Sequence, residues 1–139
     1  AKEYRVDEGR ISVTGLSRGG HASWGLVEKL PGTFAATIPI GGRPNVESFD
    51  AFEDTSVWIS HNTGDPTVRW SGADRAAKAI EQAVDKSFRR FAVSVPEFER
   101  VVDTEYVFTQ PDLEHHDAWT DVYTSEVFYR WLLQQKRGE

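Results

Sequence analysis

Residues 15–20 read Gly-Leu-Ser-Arg-Gly-Gly, after a β-branched run, Arg10-Ile11-Ser12-Val13-Thr14, and before an apolar-periodic segment. Strand, then G-x-S-x-G, then helix is the context of a nucleophile elbow. Such a turn is too sharp for side chains at neighbouring positions, so Gly15 and Gly19 are expected to give the backbone and helix room. Ser17 is then lifted clear of the sheet, with the backbone N–H of Arg18 facing an incoming carbonyl. The motif by itself is weak, because on the order of one chain in twenty of this length carries it by chance. Its placement between strand and helix is what makes it informative, against the plainer reading of a serine in a glycine-rich turn.

An elbow serine needs an acid and then a histidine further along the chain. Ser56-Val57-Trp58-Ile59-Ser60 reads as a short buried strand running into the polar loop His61-Asn62-Thr63-Gly64-Asp65-Pro66. Asp65 lies just beyond the strand's C-terminal end and is the candidate acid. Before Pro66 it also suits a simple turn. A later strand, Glu105-Tyr106-Val107-Phe108-Thr109, leads to Pro111-Asp112-Leu113-Glu114-His115-His116-Asp117-Ala118-Trp119, and both histidines lie past its end. All three groups thus project from the C-terminal edge of one sheet, where open α/β folds place their sites.

The pattern along the chain predicts a strand over 11–15, a helix over 19–30, a strand over 34–40 and an irregular segment over 41–55. It continues with a strand over 56–61, a helix over 71–88, a strand over 104–109 and a helix over 125–136. The first helix stops at Leu30-Pro31-Gly32, where proline cannot continue the ladder. Phe34 to Ile40 is mostly apolar, as expected of a parallel strand covered on both faces. In 71–88, Ala73, Ala76, Ala77, Ile80, Ala83, Val84 and Phe88 recur at helical steps. Phe128, Trp131 and Leu132 form a narrower stripe in the last helix. Segment 89–103 fits either a short helix or a loop-borne insertion. Alternating strands and helices indicate an α/β fold with a mainly parallel sheet of about four strands, in a single domain over 1–139.

Other features carry less. His21 reads as a packed or solvent-facing helix residue, and His61 as a hydrogen-bonding neighbour of the acid. Adjacent histidines seldom converge on one ion, and no H-E-x-x-H spacing accompanies them, so no metal or other cofactor is expected. Trp70 and Trp119 are either core or lining of an acyl or alcohol pocket, and Gly41 and Gly42 suit a turn. Net charge is −6 with both signs interspersed, which argues against a nucleic-acid surface. No apolar run approaches the ~20 residues of a membrane span, and no signal-peptide pattern is visible. The absence of cysteine rules out disulfides. Methionine is also absent, so Ala1 is expected either to follow a removed initiator or to be the start of a processed or truncated product.

The stretches RISVTGLSRGGHASW, FAATIPIGG, VWISHNTGDPTV and HDAWTDVYTSEVFYRWLLQQKR resemble the carboxylesterase and polyhydroxyalkanoate-depolymerase-like branch of the α/β-hydrolase superfamily. The resemblance runs from that family's nucleophile strand to its last helix. It implies a serine carboxylester hydrolase acting on small-molecule esters, with Ser17 as nucleophile, Asp65 as acid and His116 as base. The choice of His116 over His115 rests on matching HHDAW to the family's Gly-His-Asp/Asn-x-Trp. Arg18, where the family usually has an apolar residue, keeps the oxyanion N–H and is expected to place a cation beside the acyl pocket. A prolyl-oligopeptidase-like peptidase shares this half of the fold, and an inactive fragment keeping the three residues is the non-enzyme alternative.

The resemblance makes this a truncated α/β-hydrolase fold. The strands preceding the nucleophile strand are absent from the sequence, with the loop that ordinarily gives a second oxyanion donor. Strand 11–15 is then expected at a sheet edge, where unpaired backbone groups invite association. A homodimer covering it is expected, or alternatively pairing with the rest of a longer hydrolase.

Overall fold

A computed structural model describes residues 3–138. Five parallel strands form one sheet in the order β1-β2-β3-β5-β4, with β1 over Ser12–Leu16, β2 over Ala36–Ile40, β3 over Ser56–Ser60, β4 over Arg89–Phe91 and β5 over Tyr106–Thr109. Helices α1 (Arg18–Lys29) and α2 (Trp70–Val84) pack on one face, and α3 (Thr120–Tyr123) and α4 (Glu126–Gln134) lie with the core of the other.

The period of two along each strand sorts side chains between two cores. Val57, Ile59, Tyr106 and Phe108 join Trp24 and Val27 of α1 and Ala73, Ala77 and Ile80 of α2. Trp58 and Val107 point the other way, to Ile38, Ile40, Val122, Phe128 and Trp131. Two of the buried indoles are hydrogen-bonded, Trp58 Nε1 donating to Thr109 Oγ1 at 2.9 Å and Trp131 Nε1 to the Thr104 carbonyl at 2.7 Å, whereas the buried Trp70 Nε1 has no partner among the described residues. β2 is buried at every position, as its mostly apolar run predicts. Among the described residues no helix is long and apolar enough to cross a membrane.

The sheet has five strands rather than about four. The additional one, β4, comes from the segment that fitted a short helix or insertion, which also holds a single 3₁₀ turn over Phe98–Arg100. Three residues, two of them arginines, carry no strand periodicity. Their place at the edge is set instead by pairing with β5 and by Arg90, which reaches Asp74 of α2 at 2.8 Å. α2 ends at Val84, four residues before its predicted end, because Asp85 adopts the left-handed conformation (φ 53°). Phe88 still reaches the same core, its ring 5.4 Å from Tyr106, so its helical spacing was coincidental. The predicted last helix, 125–136, is observed as α4, and the short α3 precedes it outside those bounds, capped by Asp117, which accepts from the N–H groups of Trp119 and Thr120.

Among the described residues β1 pairs only with β2. The Ile11 carbonyl and the Ser17 N–H both point to β2, accepting from Ala35 and donating to Ile40. By the alternation of a parallel ladder, the backbone groups of Ser12, Thr14 and Leu16 face away from the sheet. The edge expected at strand 11–15 is therefore present among the described residues.

Candidate active site

Ser17 follows the last residue of β1 and precedes the first of α1, with φ 54° and ψ −113°. This is a strained conformation for a residue bearing a Cβ, of the kind held only where the surroundings over-determine it. Two backbone bonds do so. Ser17 N–H donates to the Ile40 carbonyl at 2.8 Å, and its own carbonyl accepts from His21 N–H at 3.0 Å.

Close packing of glycines makes the turn possible, with one difference from expectation. A Cβ at Gly15 would stand 2.4 Å from the backbone of Gly19, and one at Gly20 would stand 2.8 Å from the Ile40 carbonyl. A Cβ at Gly19 meets nothing within 4 Å. Room is therefore needed at Gly15 and Gly20. The partner of Gly20 is Gly42, whose own Cβ would lie 2.5 Å from Gly20 and His21.

The three candidate side chains meet at this edge. His116 Nε2 is 3.0 Å from Ser17 Oγ, and His116 Nδ1 is 2.7 Å from Asp65 Oδ2. Nδ1–H donates to the carboxylate, leaving Nε2 to accept from the serine hydroxyl. Asp65 has a fully buried side chain, and Oδ1 accepts from the N–H groups of Thr67 (2.8 Å) and Val68 (3.0 Å). Burial raises its pKa, but the His116 bond and the two N–H donors outweigh that and hold the carboxyl below its ordinary value. Behind it, buried His61 donates from Nε2 to the Val68 carbonyl at 2.8 Å and stands 3.5 Å from Asp65 Oδ2. Burial depresses the His61 pKa more than the Val68 carbonyl and the Asp65 charge raise it, which favours the neutral ring.

Of the two neighbouring histidines, His116 bridges Ser17 and Asp65 while His115 turns to Asn62, Nδ1 to Nδ2 3.4 Å. Asn62 is the residue that motif reasoning missed. Fully buried, it donates from Nδ2 to the carbonyls of His115 (2.8 Å) and Asp117 (3.1 Å), which flank His116. Ser60 Oγ adds a bond to the Ala118 carbonyl at 2.7 Å, and Gly64 N–H one to the Leu113 carbonyl at 3.1 Å. The acid loop and the histidine loop are thus laced together beyond the sheet. The only signal in the sequence was a polar residue directly after a buried strand.

Trp119 packs edge-on against the His116 ring, centroids 5.1 Å apart at 87°. Trp70 instead packs toward Phe108, at 6.5 Å, in the core beneath α2. The Arg18 N–H opens α1 and has no intrahelical acceptor, so it and the positive end of the helix dipole are available to an oxyanion beside Ser17. Among the described residues no group of three or more His, Cys, Asp or Glu is arranged to hold a metal ion.

No family model matches the chain. A thermostable esterase of known structure superposes with a TM-score of 0.77 at 26% identity, over 98% of this chain and 33% of its own. The carboxylesterase of Bacillus cereus superposes with a TM-score of 0.61 over 96% of this chain and 53% of its own; at 15% identity that likeness concerns the fold alone. In sequence, the dual function macrocyclase-peptidase POPB of Galerina marginata (strain CBS 339.88) is 34% identical over 61 residues, 43% of this chain and 8% of that protein. The chain therefore spans about a third to a half of these structures and a small part of POPB.

Proposed function

We propose that this chain, which has the α/β-hydrolase fold from its nucleophile strand onward, is a serine carboxylester hydrolase. The observation that carries the reading is the continuous chain of contacts from Ser17 Oγ through the His116 ring to the buried Asp65 carboxylate. In this reading His116 takes the hydroxyl proton as Ser17 Oγ bonds to the ester carbonyl carbon, and passes it to the departing alcohol as the ester C–O bond breaks. Water then attacks the acyl-enzyme, giving a proton to His116. The Oγ–acyl bond breaks, the acid leaves, and the proton returns to Ser17. Asp65 holds the ring tautomer and stabilises the imidazolium. The N–H of Arg18 stabilises the oxyanion.

Loss of one oxyanion donor commonly costs ~10²–10³ in turnover. Arg18 is one such donor, and small or activated esters are the substrates expected in this reading. A homodimer seated on the β1 edge, with a segment of the second copy giving the other donor, belongs to the same proposal.

The test is labelling by a fluorophosphonate probe together with hydrolysis of 4-nitrophenyl esters. Both are expected in the unaltered chain and neither in Ser17→Ala. Ester hydrolysis unchanged in Ser17→Ala overturns the assignment, and an unlabelled chain favours an inactive fragment. The POPB match supports a second reading, a prolyl-oligopeptidase-like peptidase. Cleavage of chromogenic peptides in the absence of ester cleavage selects it.

A further inference from the structure

Arg18 is exposed, stands beside Ser17 and opens α1. That is the least favourable helical position for a cation, since the dipole's positive end repels a positive charge there. A pairing acid could offset this repulsion, but among the described residues no carboxylate lies within ion-pair distance of Arg18. The next two loops at the same edge repeat the pattern. Arg43 after β2 and Arg69 after β3 are exposed and likewise without an acid partner among the described residues. The Arg43 carbonyl meets His21 Nδ1 of α1 at 2.8 Å, and Arg69 follows Val68, whose N–H holds Asp65. Three acids at this edge have hydrogen-bond partners, Asp65 with His116, Asp117 as the α3 cap and Asp112 with Thr63, while Glu114 of the histidine loop is exposed. In a chain of net charge −6, Arg18 thus stands next to Ser17 with no ion-pair partner among the described residues.

From this we infer that the site selects esters whose acyl chain ends in a carboxylate, the half-esters of dicarboxylic acids, with the Arg18 guanidinium pairing with that carboxylate. The inference rests on the hydrolase reading of Ser17. Acyl and alcohol parts are distinguished by the chemistry. The alcohol must leave within reach of His116, which protonates it, whereas the acyl group stays bonded to Ser17 with its oxyanion on the Arg18 N–H through both steps. The Arg18 backbone therefore stays against the acyl carbonyl throughout, and the inference is that its exposed side chain extends along the acyl chain. Guanidinium suits this task because its planar fork matches a carboxylate and it stays charged.

The experiment compares kcat/KM for mono-(4-nitrophenyl) adipate and 4-nitrophenyl hexanoate, which differ in the terminal charge, with spontaneous hydrolysis subtracted. The ratio is taken within each protein, so any change in the shared chemistry cancels. The unaltered chain is expected to favour the adipate by about tenfold or more, as one charge-assisted hydrogen bond allows. The preference should lie mainly in KM and shrink with added salt. Arg18→Met is expected to bring the ratio near one, and Arg18→Lys to retain part of it. Equal use of the two esters by the unaltered chain, or a ratio unmoved in Arg18→Met, overturns the inference while labelling and hexanoate hydrolysis leave the Ser17 reading standing. If Arg18→Met does not fold, the ratio of the unaltered chain and its salt dependence decide. Absence of labelling and of both hydrolyses overturns the Ser17 reading, and this inference with it.

Discussion

A methyl group added at Gly15 meets the backbone of Gly19 at 2.4 Å, whereas one added at Gly19 meets nothing within 4 Å. Gly15→Ala is accordingly expected to cost about 1–3 kcal/mol as the turn is forced apart. Gly19→Ala, within α1, is expected to be neutral or to gain up to ~1 kcal/mol from helix propensity. Urea unfolding of the two variants checks the contrast, and equal losses would contradict the packing described. At Asp65, substitution by Asn keeps the size but removes the charge that favours the Nδ1–H tautomer of His116. If Ser17 is the nucleophile, kcat on an activated ester should fall by roughly 10³–10⁴.

The same residues set a pH dependence. The folded pKa of His61 lies below its ordinary 6.5, so its ring is neutral in both states well above that value. As pH falls through about 6.5 the unfolded chain binds a proton that the folded chain refuses, and stability declines. Asp65 acts lower: its contribution is present above the ordinary 3.8 and is lost as pH falls through its depressed folded value. The urea midpoint should therefore drop between pH 7 and 5.5, and His61→Gln should flatten that part of the curve. A midpoint constant over this range, or an unaltered slope in His61→Gln, contradicts it.

Among the elements, β4 is the one whose formation depends most on side chains outside it. Arg90 bonds to Asp74 and Gln110 and lies 4.8 Å from the Phe108 ring centroid. Burial raises the pKa of Asp74, but its bonds to Lys78 and Arg90 outweigh this and hold it below the ordinary value. Arg90→Ala should cost about 1 kcal/mol, since the pair is only partly exposed, and should speed amide exchange at residues 89–91 more than in β2 or β3. Uniform change across the sheet would show that β4 is not separately tethered. This dependence is also why β4 was illegible: Arg89-Arg90-Phe91 has neither alternation nor β-branching, and its partners lie up to 20 residues away. By contrast, α1, β2, β3, α2 and β5 were each legible, because apolar period and Gly/Pro punctuation act locally. Their ends were less so, as Asp85 shows by stopping α2 short.

At the scale of the whole molecule, the β1 edge is the unfinished surface. Ser12, Thr14 and Leu16 turn their backbone groups outward, and Leu16 is 38% exposed beside the Ser17 turn. Light scattering at micromolar concentration is expected to give a mass near twice the 15.7 kDa chain. Leu16→Lys should lower it, since a charged side chain blunts an edge. A stable monomer rejects the homodimer.

The sequence by itself determined the α/β class, the elbow between strand and helix, and the chemical identity and order of the candidate groups. Those follow from local sterics, short periods and the succession of strand ends. Only the tertiary structure decided that His115 turns to Asn62, that Asn62 and Ser60 lace two loops together, and that Gly20 needs room against Gly42. Ser17 and His116 stand 99 positions apart. Whether such groups meet is set by strand register, and by hydrogen bonds between loops that no local pattern encodes.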